Sequence, residues 1–152
     1  MKNHIVVGVY IFNEEKVLLI HHKKLKLWLP VGGHIEENEL PDDAVKREAR
    51  EEVGLEIELI ETDKTQSCGS MKRKLAIPFH VNLHNVGDHD HCCLFYLARS
   101  KTNEVNQNER ELTDYKWFTK QELNKEEVPA DVKAIALTAF EILETMKKET
   151  NN

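Results

Sequence analysis

Residues 32–55 read GGHIEENELPDDAVKREAREEVGL, a segment in which paired glycines precede a strongly acidic helix pattern. Because residues three and four apart share a face of an α-helix, Glu48, Glu51 and Glu52 are predicted to project together. Like charges at this spacing destabilise an isolated helix by roughly 0.2–0.5 kcal/mol per pair, so the cluster calls for a cation. Mg²⁺ and Mn²⁺ prefer oxygen ligands, and Mg²⁺ is commonly held by carboxylates together with substrate phosphates. The segment therefore predicts metal-assisted chemistry on a phosphate ester or anhydride.

The sequence also marks both ends of this helix. Pro41 is favoured in a first helical turn, and Asp42 and Asp43 follow where the helix dipole favours negative charge. Gly54 suits the left-handed position that ends a helix. We therefore expect a helix between Pro41 and Gly54, with an apolar stripe against a sheet and an acidic edge along a cleft.

Strand patterns lie on both sides of the helix. Residues 5–12 are predicted to form a buried strand, and residues 16–20 the returning strand of a hairpin. Further strands are predicted at residues 55–60, 75–84, 92–98 and 115–118. Pro78 predicts an edge strand or a break in the second of these. Residues 119–122 form a capping-box pattern that opens a short helix, and Pro129 is predicted to start the last helix.

Composition agrees with one α/β domain over residues 1–152, with a mixed sheet and helices on its faces. The 152 residues are 40% hydrophobic and 32% charged, which is ordinary for a globular protein. A formal net charge of −6 disfavours generic nucleic-acid binding. No apolar run approaches the length of a membrane span, and the N-terminus lacks a signal-peptide pattern. Because the three cysteines form no disulfide framework, a cytoplasmic location is expected.

The acidic segment follows a fixed spacing, G-x5-E-x7-R-E-U-x-E-E-x-G-U with U apolar, from Gly33 to Leu55. This spacing resembles the Nudix box at every fixed position. The hairpin before the box and the Trp117–Phe118 segment after it are also similar to the Nudix domain. The resemblance implies a Nudix-type α/β/α sandwich with a mixed β-sheet. It further implies hydrolysis of a nucleoside diphosphate linked to another group, so the expected partner is a small nucleotide-type diphosphate.

The resemblance also implies a role for each box residue. The implied metal ligands are Glu48, Glu51, Glu52 and the backbone carbonyl of Gly32. Gly33, Glu39 and Arg47 are implied to support the site, since the planar fork of an arginine can order carboxylates. The implied cofactor is a divalent cation, normally Mg²⁺, with Mn²⁺ as the alternative.

A further acid often precedes the late Trp-Phe strand in this family. Glu111 lies six residues before Trp117 and is preferred here to Glu109, although a solvated loop glutamate is the alternative for each. In the implied mechanism, divalent cations neutralise charge on the phosphates and lower the pKa of a bound water. One glutamate acts as general base, and the sequence does not choose between Glu51, Glu52 and Glu111.

Three features outside the ligands bear on the substrate. Val31 and Asn38 differ from the residues that are common in the family at these positions. The differences bear on the shape of the loop and not on the metal ligands, and asparagine tolerates a left-handed backbone. Residues 21–26 read HHKKLK, either a solvated loop or a set of cations beside an anionic substrate. A histidine- and cysteine-rich set also stands out: His80, His84, His89, His91, Cys92 and Cys93. Its spacing matches no zinc pattern, so zinc is a weak compositional hint and a substrate-pocket role is favoured.

Two other functions compete with hydrolysis. The first is a non-catalytic Nudix-fold sensor that binds a nucleotide, although it would not need the full set of glutamates. The second is isopentenyl diphosphate isomerisation, which the short chain and the context of its cysteines disfavour. A homodimer is the default assembly for a small enzyme of this kind. The identity of the substrate stays open, because the box specifies chemistry at the diphosphate and not the attached group.

Overall fold

The computed structural model describes residues 2–125 and 127–151. Within these ranges the strands are β1 (Asn3–Asn13), β2 (Lys16–His22), β3 (Trp28–Leu29), β4 (Val31–His34), β5 (Ile57–Leu59), β6 (His80–Asn85), β7 (Asp90–Ser100) and β8 (Leu112–Phe118). The helices are α1 (Pro41–Val53) and α2 (Ala130–Thr150), with a short 3₁₀ helix at Glu122–Asn124. Within the same ranges, each helix is too short or too polar to span a lipid bilayer.

The strands form one mixed sheet with β1 at its centre. Its main order is β3-β2-β1-β7-β5, while β4 pairs with β1, β6 with β7, and β8 with β2. The β1–β7 pair is parallel, from Asn3 opposite Asp90 to Phe12 opposite Arg99. The other strand pairs are antiparallel. The predicted mixed sheet is therefore confirmed.

One helix covers each face of the sheet. Side chains of β1 alternate between the two faces, so Val7, Val9 and Ile11 pack in one core cluster and Tyr10 and Phe12 pack in the other. The apolar stripe of α1 is buried in the first cluster: Ala44, Val45, Ala49 and Val53. The stripe of α2 is buried in the second: Val132, Ile135, Ala136, Ala139 and Phe140. This arrangement is the α/β/α sandwich that the sequence predicts.

The helix α1 has the predicted ends. It begins at Pro41, and the backbone of Gly54 is left-handed with a φ of 65°. The Gly54 N–H donates to the carbonyl of Arg50 at 3.1 Å, and the Leu55 N–H donates to the carbonyl of Ala49 at 3.2 Å. These two bonds satisfy carbonyl groups that the end of a helix would otherwise leave free.

Some strand boundaries differ from the prediction. The predicted strand at residues 55–60 is reduced to β5, because Leu55 closes the helix and only Ile57–Leu59 pair with β7. Residues 75–79 lie outside β6, which begins after Pro78 as that residue predicts. The strand predicted at residues 115–118 begins earlier, at Leu112, because β2 is long enough to pair with it.

The capping box is confirmed in its geometry. The Glu122 N–H donates to Thr119 Oγ1, and the Thr119 N–H donates to Glu122 Oε1, both at 3.2 Å. The helix that this box opens is a single 3₁₀ turn. The predicted helix start at Pro129 also agrees with the structure, in which Pro129 directly precedes α2.

Candidate active site

The two glycines of strand β4 bring the strand into close contact with its neighbours. A Cβ on Gly32 would lie 2.2 Å from the carbonyl oxygen of Val7, and a Cβ on Gly33 would lie 2.3 Å from Glu48 Oε1. The backbone of β1 therefore requires glycine at the first position, and at the second a side chain would displace the carboxylate of Glu48. No strand is predicted here from the sequence, but β4 pairs with β1 from Val31 to His34.

Glu52 is the most buried acid of the box, with 4% of its surface exposed. Its Oε1 accepts a hydrogen bond of 3.0 Å from the backbone N–H of Gly32. Burial raises the pKa of Glu52 to about 8, and the negative charges of Glu48 and Glu111 act in the same direction. The Gly32 N–H opposes this shift, because it stabilises the ionised carboxylate.

Glu48 lies beside Glu52, and we call these two residues the carboxylate pair. The two carboxyl groups are close enough to influence each other's pKa, and burial raises the pKa of Glu48 as well. Two carboxyl groups that share a buried site cannot both ionise cheaply unless positive charge is brought in. A divalent cation with oxygen ligands supplies that charge, so the carboxylate pair fits a Mg²⁺ or Mn²⁺ ion.

Arg47 connects the carboxylate pair to the loop before α1. Its guanidinium donates to both oxygens of Glu39, from Nε at 2.8 Å and from the second terminal nitrogen at 3.0 Å. The other terminal nitrogen donates to Glu48 at 3.0 Å and to Glu51 at 3.1 Å. A further bond of 3.0 Å reaches the carbonyl of His34 at the end of β4. These contacts raise the pKa of Arg47, so its charge is permanent.

The loop between β4 and α1 is closed by its own hydrogen bonds. The Glu39 N–H donates to the carbonyl of Glu36 at 3.0 Å, and the Glu36 N–H donates to Glu39 Oε1 at 3.1 Å. Asn38 has a φ of 64°, the left-handed conformation that asparagine tolerates better than most residues. Arg47 holds the pKa of Glu39 below its usual range, so this carboxylate stays ionised in its supporting position.

The other sequence-predicted acids are more exposed than the carboxylate pair. The Glu51 side chain is 56% exposed and contacts Arg47. Glu111 lies at the rim of the cleft described below, and its carbonyl accepts a hydrogen bond of 2.8 Å from the Lys23 N–H. The Lys23 side chain donates to the carbonyl of Glu109 at 2.8 Å. Both side chains are exposed, but Glu111 lines the cleft beside the carboxylate pair and Glu109 does not.

A cleft of about 1030 Å³ opens beside the carboxylate pair. Its rim carries cationic side chains from residues 21–26 and from the loop before β8: Lys23, Lys24 and Arg110. Its wall carries the exposed apolar side chains of Leu25 and Leu27, and its lining also includes four buried residues: Tyr10, Phe95, Val132 and Ile135. Part of residues 21–26 therefore lies beside the acidic site, as expected if these cations contact an anionic substrate.

The histidines converge in a different set from the one that stands out in the sequence. His4, His34, His89 and His91 can place one ring nitrogen each within 4.8 Å of one another. His80 lies elsewhere, with its ring centroid 5.8 Å from that of Phe95. His4 and His34 are missed in the sequence because they are far from residues 89–91 and reach them through strand pairing.

The family model of the NUDIX domain matches residues 2–138 of this chain. Among solved structures, a NUDIX-family hydrolase from Clostridium perfringens is 36% identical to the chain, with a TM-score of 0.85. That comparison covers 94% of this chain and 99% of the hydrolase. No curated protein matches the chain significantly.

More distant structures share the fold. A C. elegans Ap4A hydrolase in a binary complex is 16% identical, with a TM-score of 0.73 over 93% of this chain and 98% of the hydrolase. A UDP-X diphosphatase is 15% identical, with a TM-score of 0.63 over 99% of this chain and 65% of the diphosphatase.

Proposed function

Because the chain belongs to the NUDIX domain family and is a Nudix pyrophosphohydrolase, we propose that it uses Mg²⁺ or Mn²⁺ to cleave a small nucleotide-type diphosphate. The observation that carries this proposal is the position of the carboxylate pair, which opens onto a cleft with a cationic rim and an apolar wall. The anionic diphosphate would contact the rim and the cation, and the attached nucleoside would contact the wall.

The cation would be held mainly by the carboxylate pair. Glu51 can join it by leaving Arg47, since its side chain is already 56% exposed, and the Gly32 carbonyl is the fourth proposed ligand. When bound, the divalent ion supplies positive charge that neutralises the phosphate oxygens and makes water easier to deprotonate. Arg47 keeps Glu48 aligned through a hydrogen bond of 3.0 Å.

Glu111 is our choice for the base that takes a proton from the attacking water. Glu48 and Glu52 lie together in the buried part of the site, and both are proposed ligands of the cation. Glu111 instead enters from the loop before β8 and lines the cleft from a separate segment. A carboxylate in that position can accept a proton while the carboxylate pair keeps its charge for the metal.

The size and lining of the cleft favour a nucleotide as the substrate. A volume of about 1030 Å³ is at the upper end of the range typical of small-molecule sites. Leu25 and Leu27, which are 55% and 43% exposed, offer apolar surface for a base, while Lys23, Lys24 and Arg110 offer charge for phosphates. Since the fold is shared with an Ap4A hydrolase and a UDP-X diphosphatase, dinucleoside polyphosphates and UDP-linked compounds are the first classes to test.

A substrate panel in ¹⁸O-labelled water tests this function directly. The protein is mixed with Mg²⁺ and nucleoside triphosphates, dinucleoside polyphosphates, nucleotide sugars or capped RNA, and products are identified by mass spectrometry. We expect one class to yield a nucleoside mono- or diphosphate carrying ¹⁸O on the phosphorus that water attacks. Binding without products across the panel would contradict the proposal and favour a nucleotide sensor.

We also propose that the chain forms a homodimer in the cytoplasm. Ile5 and Leu83 both lie opposite Cys92 in the sheet, so their side chains share a face, and they are 57% and 60% exposed. Val81, two residues before Leu83, is 50% exposed on the same face. A second copy would cover this apolar surface, and light scattering of Leu83→Ser against the wild type would test the proposed dimer. The three free cysteines are compatible with a reducing compartment.

A further inference from the structure

Four histidines meet at one end of the sheet, beside the cleft but apart from the carboxylate pair. We call His4, His34, His89 and His91 the histidine group. Each can offer one ring nitrogen, and the four nitrogens lie within 4.8 Å of one another. Two of these side chains are exposed and two are half-buried, so the group is accessible to ions from solution.

Strand register explains why the histidines meet. His4 and His91 are partners in the parallel β1–β7 pair, so their side chains lie on the same face. His34 is opposite Val6, which lies two residues from His4 and therefore shares its face. His89, in the turn before β7, completes the group with its ring centroid 4.3 Å from that of His4.

A carboxylate orients one of these rings. Nδ1 of His89 lies 2.7 Å from Asp88 Oδ1, so the proton of that ring is held on Nδ1 and the lone pair stays on Nε2. Nε2 of His89 then lies 3.0 Å from Nε2 of His91. Histidines that bind a metal through one ring nitrogen often donate a hydrogen bond from the other nitrogen to a carboxylate.

We propose that the histidine group binds one borderline transition-metal ion of the Zn²⁺ class, independently of the cation at the carboxylate pair. Imidazole nitrogen suits zinc, copper, nickel and iron, whereas Mg²⁺ prefers oxygen, so the two sites select different metals. Zn–N bonds of about 2.0–2.1 Å in a tetrahedron place the nitrogens roughly 3.4 Å apart. The observed separations include one of 3.0 Å and reach at most 4.8 Å, so they bracket this value.

Such an ion would tie together separate parts of the chain. It would join the start of β1, the end of β4 and the turn between β6 and β7. His34 and His91 also line the cleft, so the ion would lie at the cleft edge and add positive charge beside the substrate. Because an ion that binds only the folded chain stabilises it by mass action, zinc is expected to raise the melting temperature.

Metal content of the full chain, produced without a histidine tag, tests the proposal. The protein is stripped with a chelator, loaded with ZnCl₂ in the presence of excess Mg²⁺, dialysed and analysed by mass spectrometry. We expect the wild type to retain about one equivalent of zinc and to melt at a higher temperature with zinc than without. The double variant His89→Ala/His91→Ala is expected to lose both effects.

Two variants separate this site from its surroundings. Glu48→Gln/Glu52→Gln removes the carboxylate pair and should keep the zinc, and so should His80→Ala, which replaces a sheet histidine outside the group. His4→Ala, an exposed change at the start of β1, should weaken zinc binding even if the double variant is poorly folded. Co²⁺ bound to the unmutated chain should show the visible absorption of tetrahedral nitrogen ligation.

Several results would overturn the inference. They are a wild type that loses its zinc on dialysis, histidine variants that retain it, or zinc that disappears with the carboxylate pair. Because zinc retention and Co²⁺ absorption are read without substrate, these outcomes do not depend on whether the proposed hydrolase activity is found.

Discussion

At the scale of single residues, Glu52 shows why the site requires a cation. Its carboxyl group is 4% exposed and receives one backbone hydrogen bond, from Gly32. One such bond does not offset the burial of a negative charge, and the pKa of Glu52 rises to about 8. A bound divalent ion reverses the balance, because it favours the ionised form that acts as its ligand.

The variant Glu52→Gln tests this residue most directly. The glutamine keeps an oxygen that can accept the Gly32 N–H, so the fold should be retained and the melting temperature should not fall. The ligand charge is lost, and we expect kcat/KM with Mg²⁺ to fall about 100-fold or more. Steady-state kinetics and thermal unfolding, measured on the same preparation, check both parts.

Two glutamates in the loop before β8, each replaced by glutamine, provide a matched comparison. Glu111→Gln should reduce turnover, while Glu109→Gln, an exposed change two residues earlier, should leave it near the wild-type value. Wild-type turnover in Glu52→Gln would contradict the proposal that the carboxylate pair holds the cation. Equal losses in the two loop variants would remove the special role of Glu111.

The raised pKa of Glu52 also predicts how the stability of metal-free protein depends on pH. Below the unfolded value near 4.5 the carboxyl is protonated in both states, and its full contribution to stability is present. Between about 5 and 8 the unfolded chain releases this proton while the folded chain keeps it, so stability decreases as pH rises.

Urea unfolding in the presence of a chelator measures this dependence. We expect the free energy of unfolding of Glu52→Gln to exceed that of the wild type by an amount that grows from pH 5 to pH 8. Saturating Mg²⁺ should reduce the difference, because the ion stabilises the ionised carboxylate. A difference that stays constant with pH would show that Glu52 is ionised in the folded protein without metal.

At the scale of elements, strand β4 and helix α1 form the site together. The strand contributes Gly32 and Gly33, and the helix contributes the carboxylate pair, while Arg47 ties both to the loop between them. The two glycines have different neighbours, since a Cβ on the first meets backbone and a Cβ on the second meets the end of a side chain. Replacing each glycine by alanine should therefore have a different consequence.

Gly32→Ala should mainly destabilise the fold. Its Cβ would meet the Val7 carbonyl at 2.2 Å, and relief requires β1 and β4 to separate, at a cost of about 1–3 kcal/mol. Gly33→Ala can be relieved by displacing Glu48, so it should lose turnover and Mg²⁺ affinity with a smaller loss of melting temperature. Calorimetry and kinetics on both variants check this contrast, which a fully active Gly33→Ala would contradict.

The parts of the fold that depend on local sequence could be predicted. Helix α1 and its Gly54 end, the break after Pro78 and the capping box at Thr119 rest on interactions between residues a few positions apart. Strand β4 was not predicted, because its Gly-Gly-His sequence has little strand propensity and is held by pairing with β1. The strand β5 was predicted too long, because Leu55 donates to the end of α1 and is not available to pair with β7.

The sequence predicted parts of the site to a similar extent. The spacing of the box placed Glu48 and Glu52 on one helix face, because that relation is local. The spacing could not predict that Glu52 is buried and Glu51 exposed, since burial depends on how α1 packs against the sheet. The histidine group was missed because two of its members reach the others only through strand pairing.

At the scale of the whole molecule, α2 stabilises the face of the sheet opposite α1. Phe140, 6% exposed, packs edge-on against Phe12 with the ring centroids 4.9 Å apart. We expect Phe140→Ala to cost about 3–5 kcal/mol and to lower the melting temperature by roughly 6–20 °C. Below that temperature turnover should be retained, because the carboxylate pair lies on α1.

Thr138→Ala is the matched control for this change. Thr138 is exposed on the same helix, so its replacement should leave the melting temperature within a few degrees of the wild type. If Phe140→Ala instead lowered turnover at a temperature where the variant is folded, the packing of α2 would have to shape the cleft through Val132 and Ile135.

The parallel pairing of β1 with β7 has a consequence for folding kinetics. Residues 3–12 pair with residues 90–99, and β2 pairs with a strand that ends at Phe118, so most of the sheet joins distant parts of the chain. Proteins with such high contact order fold slowly, because long loops must close before their contacts form. During synthesis the acidic helix leaves the ribosome well before β7 and β8, and the cleft can assemble only after both have emerged.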